Sequence, residues 1–317
     1  MDRDVIPRHG LGTAPLAGLF TEVSNAVAGD TIRAALESGI RYFDTAPLYG
    51  HGLAETRLGE ALREYHVPRN EVYVSTKVGR VLVPGVDPST VFRGVPAVRP
   101  KFDYSASGIR RSIDDSLTRL GLDYLDLVLV HDPDNFEAEA AATAFPALVQ
   151  LRDEGVIGAI GVGMNQVEML TRFATRAHDI GLDYVLVAGR WSLLDRSAGE
   201  PGGLFDTCIE HAVGVIVGGV FNSGLLGDPR DGAMFDYAAA PPPMLRTAQH
   251  MATVCASFGV TLTSAALQFP WRHAAVSSVI VGARSATEVH KNHIDGSLAL
   301  PEALWPALDE RIGARQQ

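Results

Sequence analysis

The chain has 317 residues, of which 46% are hydrophobic and 20% charged, and its formal net charge is −10. This composition is typical of a globular protein. The net charge is negative and the sequence contains no basic stripe, which speaks against a nucleic-acid partner. No apolar run reaches the roughly 18 residues that a membrane-spanning helix needs, so no membrane partner is expected.

The cysteines and the first residues indicate a cytoplasmic setting. Cys208 and Cys255 have neither the spacing of metal ligands nor the pattern of a disulfide framework. The opening MDRDVIPRHG carries charges and a proline where an export signal needs an apolar core. His290 and His293 are three residues apart, but no third ligand follows, so no metal is expected. The oligomeric state stays open, because neither heptads nor a large apolar stripe points to an interface.

Short apolar runs alternate with longer amphipathic or alanine-rich stretches from one end of the chain to the other. The short runs predict strands at 10–13, 41–44, 72–76, 125–130, 157–162, 184–188, 214–218 and 278–281. The longer stretches predict helices at 28–38, 54–63, 106–120, 138–154, 166–178, 204–211, 244–258 and 286–294. The segment PEALWPALDER predicts a further, amphipathic helix that covers the barrel near the C-terminus.

Eight such repeats without a break in composition favour a single (β/α)₈ barrel domain over residues 1–317. An open Rossmann sheet is the alternative, and it would show G-x-G-x-x-G after an early strand. Here Gly10 and Gly12 are followed by Pro15 where the third glycine belongs. Two long connections, 78–105 and 219–243, follow predicted strands. We therefore expect both at the C-terminal face of the barrel, where barrel enzymes keep their active sites.

Four ionisable residues lie at or just beyond the ends of successive predicted strands. RYFDTAPLYG supplies Asp44 and Tyr49, EVYVSTK ends in Lys77, and LDLVLVH ends in His131. Side chains in these positions converge above the mouth of a barrel. A tyrosine hydroxyl near its usual pKa of about 10 is a poor acid or base at neutral pH. A neighbouring ammonium, held by a carboxylate, is expected to lower the pKa of Tyr49, while His131 orients and polarises the substrate oxygen.

The segments DTAPLYGHGLAETRLGEAL, STKVG, LDLVLVHDPD and VIVGARSATEVHKN resemble the aldo-keto reductase family, and the resemblance runs from about residue 8 to 295. It implies a (β/α)₈ barrel and direct hydride transfer at a nicotinamide cofactor, without metal or flavin. It also implies that Tyr49 is the general acid or base, supported by Asp44, Lys77 and His131.

The same resemblance implies a set of cofactor contacts. GVGMNQ supplies Asn165 for the carboxamide, and Asp44 is placed with the cofactor residues as well. GGVFNSGLLG resembles the pyrophosphate loop and supplies Phe221, Asn222, Ser223, Gly224 and Leu225. GARSATEVHKN resembles the adenosine-phosphate segment and supplies Arg284, Ser285, Glu288 and Asn292.

The chain departs from the family pattern at several of these segments. Met164, Ala188 and Gly218 replace a serine, a glutamine and an aromatic residue that are common there. Glu288 stands where many NADP-using relatives carry a basic residue, and a carboxylate would repel a 2′-phosphate. Arg284 argues the other way, since a guanidinium suits a phosphate. NAD is therefore the preferred cofactor and NADP the alternative.

These departures resemble a sugar-dehydrogenase branch that includes L-fucose and D-threo-aldose 1-dehydrogenases and pyridoxal 4-dehydrogenase. The resemblance implies oxidation of the anomeric hydroxyl of an aldose to a lactone, or of pyridoxal through its internal hemiacetal. An NADPH-dependent reductase of aldehydes or ketones is a second hypothesis, and a cofactor-sensing regulatory protein without turnover is a third. Phe20, His51 and Trp191 are candidate substrate contacts.

Overall fold

Eight parallel strands form a closed barrel in the computed structural model, which describes residues 5–313 and side chains as far as residue 310. The predicted domain extends to residues 1 and 317, and residues 1–4 and 314–317 lie outside the described residues. The strands are β1 His9–Gly12, β2 Tyr42–Asp44, β3 Tyr73–Val78, β4 Leu125–His131, β5 Ile157–Met164, β6 Tyr184–Ala188, β7 Gly214–Gly218 and β8 Val276–Gly282. All eight lie where the apolar runs predict them.

The strand order in the barrel follows the chain, and the first strand closes it by pairing with the last. Gly10 lies opposite Tyr42 of β2 on one side and Ile280 of β8 on the other. The barrel interior is filled by large side chains such as Tyr42, Tyr73 and Leu129, which are almost completely buried. A second and larger apolar layer lies between the strands and the surrounding helices. Strands buried on both faces explain why they appear in the sequence as continuous apolar runs.

Ten helices of seven or more residues surround the barrel within the described range. They are α1 Asn25–Glu37, α2 Leu53–Glu64, α3 Ala106–Leu120, α4 Phe145–Asp153, α5 Val167–Thr175, α6 Leu204–Glu210, α7 Pro242–Ser257, α8 Leu262–Gln268, α9 Ala286–Ser297 and α10 Leu304–Gly313. Helix α3 shows why the sequence signals work. The Ser105 hydroxyl accepts a hydrogen bond from the Gly108 N–H at its start, and Gly121 ends it in a left-handed conformation with φ 65°.

Several predicted helices differ from the observed ones. The stretch 138–154 begins with a short helix, Glu137–Glu139, and a π-helical turn, Ala140–Ala144, before α4 starts. Pro146 lies in the first turn of α4, where its missing N–H is tolerated. The stretch 166–178 breaks at Arg176 into α5 and the short helix Ala177–Ile180. Helix α8 was not predicted.

The long connection 78–105 contains structure that the sequence did not indicate. Arg80–Pro84 pairs antiparallel with Val98–Phe102, so the connection forms a two-stranded hairpin after β3. The second long connection carries a smaller hairpin, in which Met234–Phe235 pairs with Ala238–Ala239. Both hairpins follow barrel strands and project from the C-terminal end of the barrel.

The predicted C-terminal helix is observed as α10. Its residues Leu304, Trp305 and Leu308 are buried, and the helix packs against α7. Within residues 5–313, no single helix combines the length and apolar composition needed to cross a membrane. Helix α7 together with residues 262–272 passes that test only as a pair, and the pair is bent by 99°.

Candidate active site

Three of the predicted catalytic side chains point into the barrel at its C-terminal mouth. Successive side chains of a strand alternate between its two faces, so residues two or four positions apart share a face. On three neighbouring strands an inward-facing residue precedes the polar one at such a spacing: Tyr42 and Asp44 on β2, Tyr73 and Lys77 on β3, and Leu129 and His131 on β4. The mouth of the barrel therefore brings Asp44, Lys77 and His131 together.

Asp44 and Lys77 form a buried ion pair. The Lys77 Nζ lies 2.7 Å from the Asp44 Oδ2 and also donates to the carbonyl oxygen of Thr45 at 2.9 Å. The other carboxylate oxygen, Oδ1, accepts a hydrogen bond from the Ser75 hydroxyl at 2.7 Å. Only 2% of the Lys77 side chain and 5% of the Asp44 side chain are exposed. Two charges so deeply buried are stable only when each satisfies the other.

Tyr49 follows β2 in a turn and lies against the other members of the group. The Lys77 Nζ is 4.7 Å from the centre of the Tyr49 ring, and the His131 ring lies 6.0 Å away and perpendicular to it. Phe92, from the first long connection, lies beside Tyr49, with the two ring centres 6.3 Å apart. The structure therefore brings the four predicted residues into one cluster, with Tyr49 at its centre.

The expectation that Lys77 lowers the pKa of Tyr49 is wrong for this structure. Burial raises the pKa of the phenol well above its usual value, and the carboxylates of Asp44 and Asp132 raise it further. Arg80 acts in the opposite direction but does not reverse the shift. The Asp44 carboxylate, which pairs with Lys77 at 2.7 Å, is the strongest of the charges that raise the pKa of the phenol. Tyr49 is a phenol, and hence a proton donor, at neutral pH.

His131 is neutral at neutral pH. Burial lowers its pKa well below the usual value, and the positive charges of Arg80 and Lys77 lower it further. Arg80 is held near the ring by Asp132, whose Oδ2 lies 3.0 Å from the Arg80 Nη2 and 3.5 Å from the His131 Nε2. A neutral imidazole has one N–H, so His131 can donate a hydrogen bond to a substrate oxygen without transferring its proton. Sequence reasoning missed Arg80, which lies in the unpredicted hairpin.

A cavity of 560 Å³ runs from Asp44 and Tyr49 to the start of helix α9. It brings together most of the residues predicted to contact a cofactor: Asn165, Phe221, Asn222, Ser223, Gly224, Arg284, Glu288 and Asn292. Phe20, a predicted substrate contact, lines the same cavity. The residues that depart from the family pattern, Ala188 and Gly218, also lie on its wall.

The cavity fits an extended dinucleotide. A side chain at Gly224 would meet no atom within 4 Å, and one at Gly218 would meet only Leu186, at 3.7 Å, so these glycines leave open space along the wall. The Asn222 side chain is buried and donates to the Gly189 carbonyl at 3.2 Å, while its Oδ1 has no partner. A buried acceptor without a partner is costly and indicates a ligand donor. The amide of Asn165 suits a carboxamide, and the N-terminal end of α9 suits a phosphate.

The nucleotide end of the cavity contains opposite charges in contact. Ser285 begins α9 by accepting from the Glu288 N–H at 3.2 Å, and Glu288 accepts from the Arg284 N–H at 3.0 Å. The Arg284 Nε lies 3.8 Å from the Glu288 Oε1. Glu288 is therefore part of the cap of α9. Sequence reasoning missed Lys291, which lies one turn further along α9 and lines the same cavity.

Lys291 is anchored by a buried polar network. Its Nζ donates to the Thr263 hydroxyl at 2.8 Å and pairs with the Asp295 carboxylate. Asp295 also accepts from Thr263 and Ser264. Burial opposes ionisation of Asp295, but these hydrogen bonds and the Lys291 charge lower the pKa of its carboxyl below the usual value. Lys291 follows Glu288 by three residues, so the helix places both side chains on the same face of α9.

Some predicted contacts lie elsewhere. Trp191 donates to the Pro270 carbonyl at 3.1 Å and packs against Phe205 and Phe269, so it is a core residue. His51 is buried, and neither ring nitrogen has a hydrogen-bond partner; its nearest charge is Asp87, at 3.7 Å. It does not line the cavity, because its turn directs it toward the first long connection.

Two predicted cofactor residues also stay outside the lining. The Leu225 side chain is fully buried in the apolar layer around the barrel, and the Ser285 hydroxyl is used in capping α9. Among residues 5–313, no group of three His, Cys, Asp or Glu side chains is placed to hold a metal ion. His290 and His293 therefore lack a third ligand in the described part of the chain.

Comparison with known proteins shows the family of this chain. The sequence model described as the aldo/keto reductase family matches residues 9–312. A D-threo-aldose 1-dehydrogenase of a Pseudomonas species is 40% identical over 96% of this chain and 94% of its own length. A pyridoxal 4-dehydrogenase of Microbacterium luteolum is 38% identical over 94% and 92%. The solved aldo-keto reductase of Bacillus halodurans, in its holo form, has a similar fold with a TM-score of 0.74 at 24% identity, over 96% of this chain and 91% of that one.

The relatives and the family match together show an NAD(P)-dependent oxidoreductase that acts on alcohol and carbonyl groups. The chain belongs to the aldo/keto reductase family.

Proposed function

We propose that this enzyme oxidises the anomeric hydroxyl of a cyclic aldose to a lactone, with NAD as its preferred cofactor. The observation that carries the proposal is the position of Tyr49 between Lys77 and His131 at one end of an elongated cavity. The 40% identity with a D-threo-aldose 1-dehydrogenase supports an aldose as the substrate. The whole chain acts as one catalytic domain on a small molecule. Both cysteines are free and buried, which suits a reducing cytoplasm.

Each of the four clustered residues has a distinct part in this reaction. The hydroxyl proton of the sugar passes to the Tyr49 oxygen, while the hydrogen on the same carbon leaves as hydride. Bound NAD(P) supplies the acceptor for that hydride. His131, being neutral, donates its N–H to the sugar oxygen and fixes its direction. Lys77 is anchored by Asp44, and its ammonium packs against the Tyr49 ring and fixes the direction of the phenol.

Glu288 supports NAD over NADP in this proposal. Its carboxylate lines the cavity and is tied to the backbone of Arg284, so it cannot easily withdraw from a bound nucleotide. A 2′-phosphate at this end would face that carboxylate, whereas a ribose hydroxyl could donate to it. The Arg284 guanidinium lies 3.8 Å from Glu288 and is already partly neutralised by it.

The test is a spectrophotometric assay of reduced nicotinamide with NAD or NADP and a panel of substrates. The panel contains L-fucose, L-galactose, D-arabinose, pyridoxal and simple aldehydes. We expect NAD reduction with at least one aldose, and Tyr49→Phe should lower kcat by about 10²–10⁴-fold. If only NADPH oxidation with aldehydes is observed, the sugar-oxidising proposal is wrong.

A second candidate function is the oxidation of pyridoxal. The observation in its favour is the 38% identity with a pyridoxal 4-dehydrogenase over 94% of this chain. Pyridoxal closes to an internal hemiacetal, so the same transfer of a proton to Tyr49 and of a hydride from the adjacent carbon would apply. A kcat/KM for pyridoxal at least tenfold above that of every aldose in the panel would favour this candidate.

A further inference from the structure

A completely buried carboxylate lies behind the catalytic cluster without lining the cavity. Glu55 belongs to the first turn of helix α2. Its Oε2 lies 2.7 Å from the Arg119 Nε of helix α3, and its Oε1 accepts a hydrogen bond from the Thr76 hydroxyl at 2.6 Å. A buried ion pair is often no more stabilising than apolar side chains of the same volume. The pair therefore points to a role beyond the stability of the fold.

One partner of Glu55 lies at the end of β3, next to Lys77. Successive side chains of a strand point to opposite faces, so Thr76 points outward to the helices while Lys77 points into the barrel. Thr76 is itself completely buried. Its hydrogen bond to Glu55 therefore fixes the outer face of the strand at the residue before Lys77.

Glu55 also lies shortly after the turn that carries Tyr49. This turn is irregular, since residues 50–52 have φ values of 59°, 54° and 90° in chain order. Three successive residues in the left-handed region are unusual, and the surrounding structure must hold them there. The Ala54 N–H donates to the Tyr49 carbonyl at 3.2 Å, so the first turn of α2 is bonded to the backbone of Tyr49.

Arg119 reaches the same turn from helix α3. A side chain at Gly52 would come within 2.8 Å of the Arg119 Cδ, so the arginine packs directly on the turn. Its Nη2 donates to the Ser116 hydroxyl at 3.1 Å, which fixes the guanidinium on its own helix. The Glu55 carboxylate thus joins three segments: the turn after Tyr49, the end of β3 and helix α3.

We propose that Glu55 is a positioning residue that holds Tyr49 and Lys77 at their working separation. The Lys77 Nζ lies 4.7 Å from the centre of the Tyr49 ring, and the two residues come from separate segments that Glu55 connects. A displacement of about 1 Å among reacting groups can lower a rate by about 10²-fold. The proposal rests on the proposed function, since that function assigns the proton transfer to Tyr49.

A matched pair of charges lies at the opposite end of the same strand. The Asp126 side chain, 1% exposed, lies 2.6 Å from the Arg69 Nη2 and accepts a hydrogen bond from the Val74 N–H at 2.7 Å. The two arginines are similarly shielded, with 18% of the Arg69 side chain and 20% of the Arg119 side chain exposed. Asp126 therefore anchors the beginning of β3 as Glu55 anchors its end, but at the end of the barrel away from the cavity.

The first test compares Glu55→Gln with Asp126→Asn. Each change neutralises one buried carboxylate and keeps its shape, so urea denaturation should show similar losses of stability. With the substrate and nicotinamide that the wild type turns over best, we expect kcat to fall about tenfold or more in Glu55→Gln and to stay within about twofold in Asp126→Asn. KM and the calorimetric Kd for the nicotinamide should change less than about threefold in both variants. An equal fall of kcat in the two variants would overturn the proposal.

A second pair of variants tests the hydrogen bond itself and leaves no charge unpaired. Thr76→Val removes the hydroxyl that donates to Glu55 but keeps the volume of the side chain, whereas Thr76→Ser keeps the hydroxyl. We expect kcat to fall about threefold or more in Thr76→Val and to remain near the wild-type value in Thr76→Ser. Equal kcat values in these two variants would overturn the positioning role, because only the hydroxyl connects the strand to Glu55.

Crystal structures of Glu55→Gln and Asp126→Asn separate this proposal from the proposed function. We expect the distance from the Lys77 Nζ to the centre of the Tyr49 ring to change by about 0.5 Å or more in Glu55→Gln only. If that distance changes and kcat does not, the positioning role stands and the catalytic role proposed for Tyr49 fails. If the distance is unchanged, the positioning role fails and the proposed function is unaffected.

Discussion

The Lys77 ammonium and the Asp44 carboxylate lie 2.7 Å apart at the mouth of the barrel, with almost no exposure of either side chain. The charge of each side chain offsets most of the free-energy cost of burying the other charge. Removing one partner therefore leaves an unpaired charge inside the protein, which is far less favourable than removing both.

We expect Lys77→Met to lower the free energy of unfolding by about 3–5 kcal/mol, because the buried Asp44 carboxylate loses its counter-charge. Asp44→Leu/Lys77→Met should recover much of that loss while remaining inactive. Urea denaturation followed by circular dichroism measures both changes. A double variant that is less stable than either single variant would show that the pair stabilises the fold in its own right.

The raised pKa of Tyr49 predicts opposite pH dependences for the two directions of the reaction. Oxidation needs the phenolate as proton acceptor, so its kcat should climb with pH through the alkaline range, because the pKa of Tyr49 lies well above its usual value. Reduction uses the phenol as proton donor, so its kcat should stay constant over the same pH range. Steady-state rates from pH 6 to 10 provide the measurement, and a primary deuterium isotope effect shows whether transfer limits them. An oxidation rate that levels off near neutrality, with that isotope effect expressed, would contradict the prediction.

Arg80 should set the pH at which kcat/KM falls on the acid side of its pH profile, called here the acid limb. It is one of two charges that lower the pKa of His131, after burial, so Arg80→Gln should raise that pKa toward its usual value. His131 would then be protonated at a higher pH, and kcat/KM should begin to fall at a higher pH than in the wild type. Arg80→Lys keeps the charge and should keep the wild-type limb. If the pH at which kcat/KM falls shifts equally in Arg80→Gln and Arg80→Lys, the prediction is wrong.

Glu288 should decide the choice between the two nucleotides. Glu288→Gln removes the charge but keeps an oxygen that can accept from the Arg284 N–H. We expect the ratio of kcat/KM for NAD to that for NADP to fall about tenfold, equivalent to ~1.4 kcal/mol. Glu302→Gln, a change at an exposed carboxylate distant from the cavity lining, is the matched control. An unchanged ratio would indicate that Glu288 serves only to cap α9.

Asp295, near the nucleotide end of the cavity, contributes to the free energy of unfolding in a way that depends on pH. Its pKa is lower in the folded protein than in the unfolded chain, so the stabilisation is present above the unfolded value and is lost as the pH falls through the folded one. Asp295→Asn should therefore destabilise the protein at pH 7, and by much less near pH 3. Urea midpoints at the two pH values measure this, with Asp153→Asn, at an exposed position on α4, as control. If the urea midpoints of Asp295→Asn and the wild type differ by the same amount at both pH values, the role given to Asp295 is wrong.

The barrel could be predicted because each of its strands is a continuous apolar run. A strand such as Leu125–His131 is buried on both faces, and that burial appears directly in the sequence. Arg80–Pro84 and Val98–Phe102 were missed because the hairpin they form is half exposed and rich in proline. Helix α8 was missed because it is only seven residues long and directly follows α7.

The residues of the candidate site could be predicted where a position at the end of a strand fixes the direction of the side chain. Asp44, Lys77 and His131 end neighbouring strands, so their convergence follows from the topology alone. Trp191 and His51 lie in turns, where the direction of a side chain depends on the packing of distant segments, and neither lines the cavity.

The closure of the barrel has a consequence for how the protein is made. His9 of β1 pairs with Val279 of β8, so one edge of the growing sheet has no partner until β8 has been synthesised. At the usual speed of a ribosome, that interval lasts roughly ten to fifty seconds. An unpaired strand edge is a template for association with other nascent chains. The yield of folded enzyme should therefore depend on chaperones that shield this edge during translation.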